Sequence, residues 1–379
     1  MRPGAFLRRC SARYGDPFTL RTHWADQPVV LVSHPDDVRR VFTGDPEVLR
    51  GGGSGSILEP FAGPSSILLL DGERHLEQRR RMLPPFHGER MRAWRDVVAE
   101  LAREELASWP RGRRISTHAR MQDLTLTVML PVVFGSTDER LRRAITGALQ
   151  LTRSAPRLVA MSLGARRGFE RAIAEVDAVL YEVIERGEGG LLDELRAASD
   201  SPREVRDQLV TLLAAGHETT ATALAWAFER LARRPDVVAR LSDAAYRDAT
   251  VKEILRVRPV LSIAPRTLAA PFDVAGWTLP AGVQVAPCIS LTRRRPDVWG
   301  DPLVFRPARF FEPVGSYAWI PFGGGTRRCV GAAFALMEME AVLDEAAKAG
   351  RLEPVGPPER VRRRAVTLSP ARGGEVRWS

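Results

Sequence analysis

The sequence has very little cysteine and no long apolar run. Its three cysteines, Cys10, Cys288 and Cys329, include no CxxC pair, which argues against both a disulfide framework and a zinc site. No stretch approaches the roughly 18 apolar residues that span a bilayer, and no signal peptide opens the chain. We therefore expect a soluble protein of the reducing cytoplasm, with no membrane anchor.

The sequence also lacks internal repeats and any linker that would divide it. Its Gly-rich stretch, 51–55, is short and predicts a loop. The chain has 379 residues, of which 44% are hydrophobic and 27% charged, the balance of a folded globular protein. A chain of this length can hold two or three domains or one large core.

Lysine is almost absent, since it occurs only at Lys252 and Lys348, so the positive charge comes from arginine. A net charge of +10 raises the question of nucleic-acid binding. However, the arginines are mixed with acidic residues along amphipathic helices, and no tract interleaves them with aromatic residues. The pattern favours a solvated arginine-rich surface, with no nucleic-acid partner, and leaves open a basic docking face for an acidic protein.

Apolar residues at helical spacing dominate the chain from residue 72 onward. They predict helices at 73–83, 89–109, 118–134, 139–151, 167–185, 246–256 and 332–350. The longest helix begins at Ser201-Pro202-Arg203-Glu204, a capping box with proline in the first turn, and continues to Arg234. Its middle, 212–227, is apolar nearly all round and should cross the core.

Shorter β-prone segments flank this helical region. Residues 28–33 form a β-branched run, and prolines and glycines divide 259–286 into short segments such as 272–279, which predicts hairpins. The expected fold class is mainly α, of the α+β type. A small β-rich part, about 14–50 and 259–286, accompanies a helical core, about 72–256 and 315–350.

A glycine-rich loop, Phe-Gly-Gly-Gly-Thr-Arg-Arg-Cys-Val-Gly at 322–331, precedes the last helix. A cysteine thiolate is the ligand that gives haem iron enough electron density to favour O–O cleavage. The glycines allow a tight loop with N–H groups directed at the sulfur of Cys329, and the following helix N-terminus favours its anion. On the residues alone, a buried structural cysteine is the alternative.

This loop matches FxxGxRxCxG and so resembles the cysteine-loop signature of the cytochrome P450 family at every fixed position. The resemblance extends from about Tyr14 to the C-terminus. It implies a single P450 domain over residues 1–379, haem b as the cofactor and Cys329 as the iron ligand. It also implies haem contacts from other residues of the loop, namely Phe322, Gly323, Arg327 and Gly331.

The sequence Ala-Gly-His-Glu-Thr-Thr in the middle of the long helix resembles the family's oxygen-activation motif. Thr219 can turn its hydroxyl onto the carbonyl of Ala215 and open a groove, and Gly216 leaves room for a flat cofactor. An acid beside an alcohol suits proton delivery to O₂, so the resemblance makes Thr219 and Glu218 catalytic. Ala215 and Gly216 become haem contacts, and His217 a polar-network residue. A buried Thr-rich turn is the alternative.

Two further sets of charged residues can be assigned a function only through the resemblance. Glu253 and Arg256 are three apart on one predicted helix, a spacing that alone usually marks a solvated pair. With Arg309 they correspond to the family's structural triad behind the cysteine loop, a folding role. His75 and Arg79, four apart on one helix face, correspond to ligands of the haem propionates. Arg266 corresponds to a third propionate ligand.

The resemblance implies O₂-dependent hydroxylation, or a related oxidation, of a hydrophobic small molecule by a monomeric enzyme. Because the chain ends soon after the last helix, electrons should come from a separate ferredoxin and ferredoxin reductase. Arg80, Arg81 and Arg328 would form the basic docking face. The expected pocket lies along 51–67, 151–163 and 260–264 and beside the long helix. Its expected lining residues are Ile67, Ala214, Ala215, Leu261 and Ile263.

Two other functions stay open. One is a peroxide-driven haem-thiolate peroxygenase, against which the intact Glu218–Thr219 pair argues because such an enzyme needs no proton relay for O₂. The other is a basic helical binding protein without haem, which would leave the loop around Cys329 without an explanation.

Overall fold

A computed structural model describes residues 3–21, 27–53, 58–86, 88–135, 138–152, 166–187 and 189–379. It confirms a mainly helical fold with small sheets. The described α-helices are α1 Pro3–Tyr14, α2 Pro35–Thr43, α3 Glu59–Ala62, α4 Gly72–Met82, α5 Glu89–Ala107, α6 Thr117–Phe134, α7 Glu139–Thr152, α8 Arg166–Arg186, α9 Leu192–Ala198, α10 Pro202–Leu231, α11 Pro235–Val238, α12 Ala244–Val257, α13 Ile289–Thr292, α14 Pro296–Trp299 and α15 Ala332–Ala349.

The strands are short and form four small sheets within the described ranges. They are β1 Phe18–Leu20, β2 Val29–Val32, β3 Leu49–Arg50, β4 Arg114–Ser116, β5 Arg266–Leu268, β6 Phe272–Val274, β7 Trp277–Leu279, β8 Gln284–Pro287, β9 Leu352–Pro354, β10 Val361–Arg364, β11 Thr367–Pro370 and β12 Glu375–Trp378. The largest sheet has the order β1-β2-β8-β5-β3, and its strands come from the two segments in which the sequence predicts β structure.

The long helix α10 is the centre of the helical core. The Ser201 hydroxyl accepts the N–H of Glu204 at 3.3 Å, as the capping box predicts. The helix ends at Leu231 rather than Arg234, and Arg234 has a non-helical backbone because the ring of Pro235 disfavours the helical conformation there. Its main partner is α6, whose residues are also mostly buried, so the two helices cross the core together.

The small sheet packs its own apolar cluster beside the helical core. Strand β2 runs parallel to β8, and β5 pairs antiparallel with β8 and β3. Val32, Val285 and Ile320 belong to this cluster, so the segment that leads into the loop of Cys329 packs against the sheet. The loop therefore connects an element of the sheet cluster to the start of α15 in the helical core.

The segment 272–279 is a hairpin rather than one strand. Strands β6 and β7 pair antiparallel, and the turn between them places Ala275 at φ 52° and Gly276 at φ 78°. Two consecutive positive φ values are what a two-residue turn of type I′ requires. No helix among the described residues has the length and apolar character to cross a membrane.

Candidate active site

The loop before α15 is tight because its glycines lie directly against α2. A Cβ on Gly325, which has φ +64°, would lie 1.7 Å from the carbonyl oxygen of Phe42, so no other residue fits there. The N–H of Cys329 donates to the carbonyl of Phe322 at 2.9 Å and closes the loop. The glycines thus bring the backbone against Phe42 and fix the position of the cysteine.

The sulfur of Cys329 has two properties that are seldom combined. The residue is exposed to solvent, yet protein surrounds it densely enough that burial raises the pKa of its thiol. Cys329 is thus accessible to solvent but has protein on several sides. The N–H of Gly331 and the charges of Arg79 and Arg328 act in the opposite direction and favour the thiolate. The surroundings are therefore suited to a bound anionic sulfur.

Aromatic residues support the loop from behind. Phe322 packs edge-on against Trp319 with the ring centroids 5.9 Å apart, and Trp319 contacts Phe310 in the same way. The indole N–H of Trp319 donates to the carbonyl of Lys252 in α12 at 3.0 Å. This chain of contacts connects the loop to α12, the helix that carries Glu253 and Arg256.

The structure brings Glu253, Arg256 and Arg309 together in the interior. Arg256 forms two hydrogen bonds with the Glu253 carboxylate, and Nε of Arg309 reaches the same carboxylate at 3.2 Å. The N–H of Arg306 adds a fourth donor at 2.8 Å. Arg256 also donates to the carbonyls of Arg293 and Pro302. The three predicted residues therefore tie α12 to the irregular segment before the loop.

His75 and three arginines, Arg79, Arg266 and Arg327, form a cationic cluster on the other side of the loop. His75 is 5% exposed, and burial together with Arg327 and Arg79 lowers its pKa to about 4. Arg266 is 9% exposed, and burial and Arg327 lower its pKa to about 10. Arg79 donates to the carbonyl of Arg328 at 2.5 Å, which joins α4 to the loop. The four residues thus lie within electrostatic reach of one another, as the resemblance implied.

Asp71 is a functional neighbour that the sequence analysis did not identify. Its carboxylate accepts the N–H groups of Gly51 and Gly52 at 2.8 and 3.0 Å and pairs with the guanidinium of Arg327. Its charge therefore partly offsets that of the cationic cluster, and its hydrogen bonds hold the backbone at Gly51 and Gly52. The one signal in the sequence is its place before α4, where an aspartate would ordinarily cap the helix; here it makes no capping bond.

The middle of α10 faces open space beside Ala215. Ala215 is exposed although Leu213 and His217 on either side of it are each 2% exposed. Thr219 donates its hydroxyl to the carbonyl of Ala215 at 2.5 Å, as predicted. Gly216 differs from expectation, because a Cβ there would lie 3.1 Å from the sulfur of Met129 in α6. Its missing side chain thus lets α6 approach closely, whereas the open space lies beside Ala215.

Polar contacts with α6 surround Glu218 and His217. The carboxylate of Glu218 lies 3.3 Å from Nε2 of His118 and accepts the amide N–H of Gln122 at 2.5 Å. Nδ1 of His217 lies 2.9 Å from the hydroxyl of Thr125, in a buried polar network as predicted. His118 and Gln122 were missed, since nothing in a single sequence shows which residues of α6 meet the motif in α10.

The predicted pocket residues belong to three different apolar clusters. Ile67 is 7% exposed and belongs to the helical core, and Ala214 packs against the same core. Leu261 and Ile263 are half-buried and pack against the two apolar clusters around the sheet. Most of the predicted pocket segment 151–163, and residues 54–57 of the segment 51–67, lie outside the described residues.

The predicted docking residues differ in solvent exposure and in ion pairing. Arg80 pairs with Glu73 at 3.2 Å, but its side chain remains 67% exposed. Arg81 is 27% exposed and pairs with Glu77 at 2.6 Å, so its charge is largely matched within the chain. Arg328 is exposed beside the cysteine. Of the three predicted docking residues, Arg80 and Arg328 therefore have the more exposed charges.

A flat prosthetic group with two carboxylates fits these residues. The space beside Ala215 is open, the sulfur of Cys329 is accessible, and the cationic cluster has Asp71 as its anion partner among the contacts described. A buried guanidinium such as that of Arg266 is costly without an opposite charge. Haem propionates would supply that charge. The buried arginines beside the loop are therefore the observation that favours haem.

An accessible cysteine in a tight loop, with a cationic cluster beside it, is the arrangement that a haem-thiolate protein requires. The family model for cytochrome P450 matches residues 1–354, and the chain therefore belongs to the cytochrome P450 family. It is accordingly an oxidoreductase of the haem-thiolate monooxygenase class. The family implies haem as its cofactor.

Similar proteins agree with this assignment. The chain is 37% identical to putative cytochrome P450 135B1 of Mycobacterium tuberculosis, over 98% of this chain and 86% of that protein. CYP175A1 from Thermus thermophilus matches with a TM-score of 0.84 and 28% identity, covering 99% of this chain and 94% of that one. Retinoic acid-bound cyanobacterial CYP120A1 has a TM-score of 0.87 at 23% identity, with coverage of 99% and 94%, and supports the fold alone.

Proposed function

We propose that the protein catalyses the O₂-dependent hydroxylation, or a related oxidation, of a hydrophobic small organic molecule. The observation that carries this proposal is the geometry of the middle of α10. A threonine hydroxyl is bonded to the Ala215 carbonyl, an acid adjoins the threonine, and open space lies beside them in an otherwise buried helix. A peroxide-driven enzyme has no need of such a pair, and a binding protein without haem has no need of the loop around Cys329.

In this proposal Cys329 is the iron ligand, and His75, Arg79, Arg266 and Arg327 hold the two carboxylates of haem b. When bound, the haem supplies the redox chemistry that activates O₂. Burial raises the pKa of the Cys329 thiol, and the N–H of Gly331 and the charge of Arg79 partly offset this, so they would favour the anionic sulfur once it binds iron. The ion pair of Arg327 with Asp71 would keep the guanidinium directed at the cofactor edge.

Thr219 and Glu218 would handle the protons that O₂ reduction consumes. The hydroxyl of Thr219 donates its one hydrogen to the Ala215 carbonyl, so its oxygen lone pairs are oriented to accept a hydrogen bond and hold the donor of the next proton in place. Glu218 adjoins it and keeps 20% of its side chain exposed, so it can exchange protons with solvent. Ordered proton transfer of this kind typically contributes about 10²–10⁴ to a rate.

The substrate class follows from the apolar residues around the opening. Leu261, Ile263 and Ala214 would line the pocket, and Ile67 would support it from the core. Such surroundings stabilise an apolar ligand and give few polar contacts that would select a particular one. The proposal is therefore restricted to hydrophobic small molecules.

Electrons would come from a small acidic ferredoxin and its reductase. The exposed charges of Arg80 and Arg328 support docking on the cysteine side. The free thiols of Cys10, Cys288 and Cys329 support a reducing compartment, and we propose a monomer in the cytoplasm.

The test combines a spectrum with an activity. Haem-loaded protein, reduced and exposed to carbon monoxide, should show the red-shifted absorption of a thiolate-ligated haem. Cys329→Ser should lose that absorption and Cys10→Ala should keep it. With a ferredoxin, its reductase and a hydrophobic substrate, wild type should consume O₂ and form an oxygenated product. Product formation from peroxide alone, with none from O₂ and electrons, would instead establish the peroxygenase.

A further inference from the structure

Two side chains of α6 contact the carboxylate of Glu218. Nε2 of His118 lies 3.3 Å from Oε1, and the side-chain amide of Gln122 donates to Oε2 at 2.5 Å. His118 and Gln122 are four residues apart, so they lie on one face of α6. That face is turned to α10, the helix with which α6 packs most extensively. Each carboxylate oxygen therefore has its own polar contact with α6.

The contact between His118 and Glu218 is electrostatic. An ionised carboxylate only accepts hydrogen bonds, so an Nε2 that carries hydrogen stabilises the Glu218 carboxylate at this distance. The same nitrogen lies 3.2 Å from the hydroxyl of Thr222, one turn further along α10. His118 thus bridges Glu218 and Thr222 on one side of α10.

The backbone holds His118 firmly in place. Its N–H donates to the carbonyl of Gly373 at 2.9 Å, and the neighbouring hydroxyl of Thr117 donates to Gly374 at 2.8 Å. His118 itself is 2% exposed. The C-terminal segment before β12 therefore fixes the first turn of α6, which carries the imidazole. A side chain fixed in this way costs little further entropy when it orients a neighbour.

We propose that His118 is a positioning residue for proton delivery, holding the carboxylate of Glu218 in one orientation beside Thr219. This inference rests on the proposed function of Glu218 and Thr219. His118 acts through Glu218 rather than on substrate or O₂. A carboxylate on a flexible side chain visits several rotamers, and only some place it to exchange a proton with the threonine. The contacts of His118 and Gln122 with the carboxylate favour one rotamer, which raises the fraction of time in which transfer can occur.

The experiment compares two substitutions at one position. His118→Leu removes the donor, whereas His118→Gln places an amide N–H close to where Nε2 lies. In the leucine variant, product formed per electron should fall roughly tenfold, the scale of one lost hydrogen bond to a charged group, with the electrons recovered as peroxide. Its solvent isotope effect should rise because proton transfer limits the rate. The glutamine variant should recover most of the yield.

Two further variants keep the test decisive. Gln122→Met removes the other donor with similar volume and should give a smaller loss in the same direction, and it serves if His118→Leu does not fold. Asp123→Asn alters an exposed side chain of the same helix and should change nothing. The thiolate-type spectrum and the substrate dissociation constant should stay unchanged in all four variants.

The outcomes separate this inference from the proposed function. Unchanged yield and isotope effect in both His118→Leu and Gln122→Met, with wild type active on O₂, would overturn the positioning role alone. Equal loss in the leucine and glutamine variants would also overturn it, since the loss would then come from packing. A wild-type protein that forms no product from O₂ and electrons would overturn the proposed function.

Discussion

Arg256 meets both carboxylate oxygens of Glu253, with Nε 2.6 Å from Oε2 and Nη2 2.8 Å from Oε1, and neither side chain is exposed to solvent. A buried ion pair of this kind gains little over apolar packing, but removal of one partner leaves an unmatched charge in the interior. Here the unmatched charge would be doubled, because Arg309 shares the same carboxylate.

We therefore expect Glu253→Gln to destabilise the fold by about 3–5 kcal/mol, or to prevent the protein from accumulating. Glu77→Gln is the matched control, because it removes the partner of Arg81 at the surface, where such pairs contribute less than about 1 kcal/mol. Denaturant unfolding of the haem-loaded proteins measures both. Equal midpoints for the two variants would contradict a structural role for the triad.

Thr219→Ala should leave haem content intact and divert electrons from product to peroxide. The variant loses the hydroxyl that bonds to Ala215 and with it the ordered path for protons. Thr219→Ser keeps the hydroxyl and should retain most of the product yield. The measurement is peroxide released per O₂ consumed. A serine variant that behaves like the alanine variant would show that the methyl group, and hence packing, is what matters.

Much of this site could be predicted from local signals in the sequence. The capping box at Ser201, the loop around Cys329 and the hydroxyl contact of Thr219 depend on residues close together in the chain. Asp71 and His118 could not be found in this way, because each acts on a residue far away in the chain: Arg327 for Asp71 and Glu218 for His118.

Gly216 illustrates a second kind of information that the sequence alone does not contain. A glycine in the middle of a helix indicates a close approach, but not from which side. The Cβ that Gly216 lacks would lie against the end of the Met129 side chain in α6, whereas Ala215 is the exposed residue, and a haem contact of Gly216 stays a prediction. In the segment 272–279, by contrast, Gly276 is a local turn signal, and the pairing of β6 with β7 agrees with the predicted hairpin.

Glu338 in α15 should make the stability of the folded protein depend on pH. It is 1% exposed, its Oε1 has no hydrogen-bond partner among the described residues, and burial raises its pKa to about 8. The folded state therefore keeps a proton that the unfolded state releases near the ordinary value of 4.5. The contribution of Glu338 to the free energy of unfolding is fully present below pH 4.5. It is lost as the pH rises to about 8, at up to about 1.4 kcal/mol per pH unit.

Glu338→Gln keeps the shape and stays neutral at every pH. The melting temperature of the variant minus that of wild type should therefore increase between about pH 5 and pH 8. Above about pH 8 this difference should stay constant. The exposed Glu312→Gln is the control and should show a difference that does not vary with pH. A constant difference for Glu338→Gln as well would mean that water or a neighbour compensates the carboxylate.

Reduction by the electron donor should depend on salt. Arg80 and Arg328 keep exposed charges, and that of Arg328 acts on Cys329, while Arg81 is paired with Glu77. Exposed charges are screened beyond about 10 Å at 0.1 M ionic strength, so attraction of an acidic ferredoxin should weaken as salt is added. We expect the rate of reduction by ferredoxin, measured by stopped flow under carbon monoxide, to fall steeply between about 0.05 and 0.5 M salt.

Arg80→Gln together with Arg328→Gln should lower the low-salt rate toward the high-salt rate. Neutral glutamine is preferable to glutamate, because Arg328 also favours the thiolate of Cys329 and a new negative charge there would alter the iron itself. Reduction by dithionite, which needs no docking, measures any such change directly. Arg362→Gln with Arg363→Gln on β10 removes equal charge from another exposed surface and should have little effect. If both double variants slow reduction equally, net charge rather than a docking face attracts the donor; if neither does, attraction between charges has no part in electron delivery.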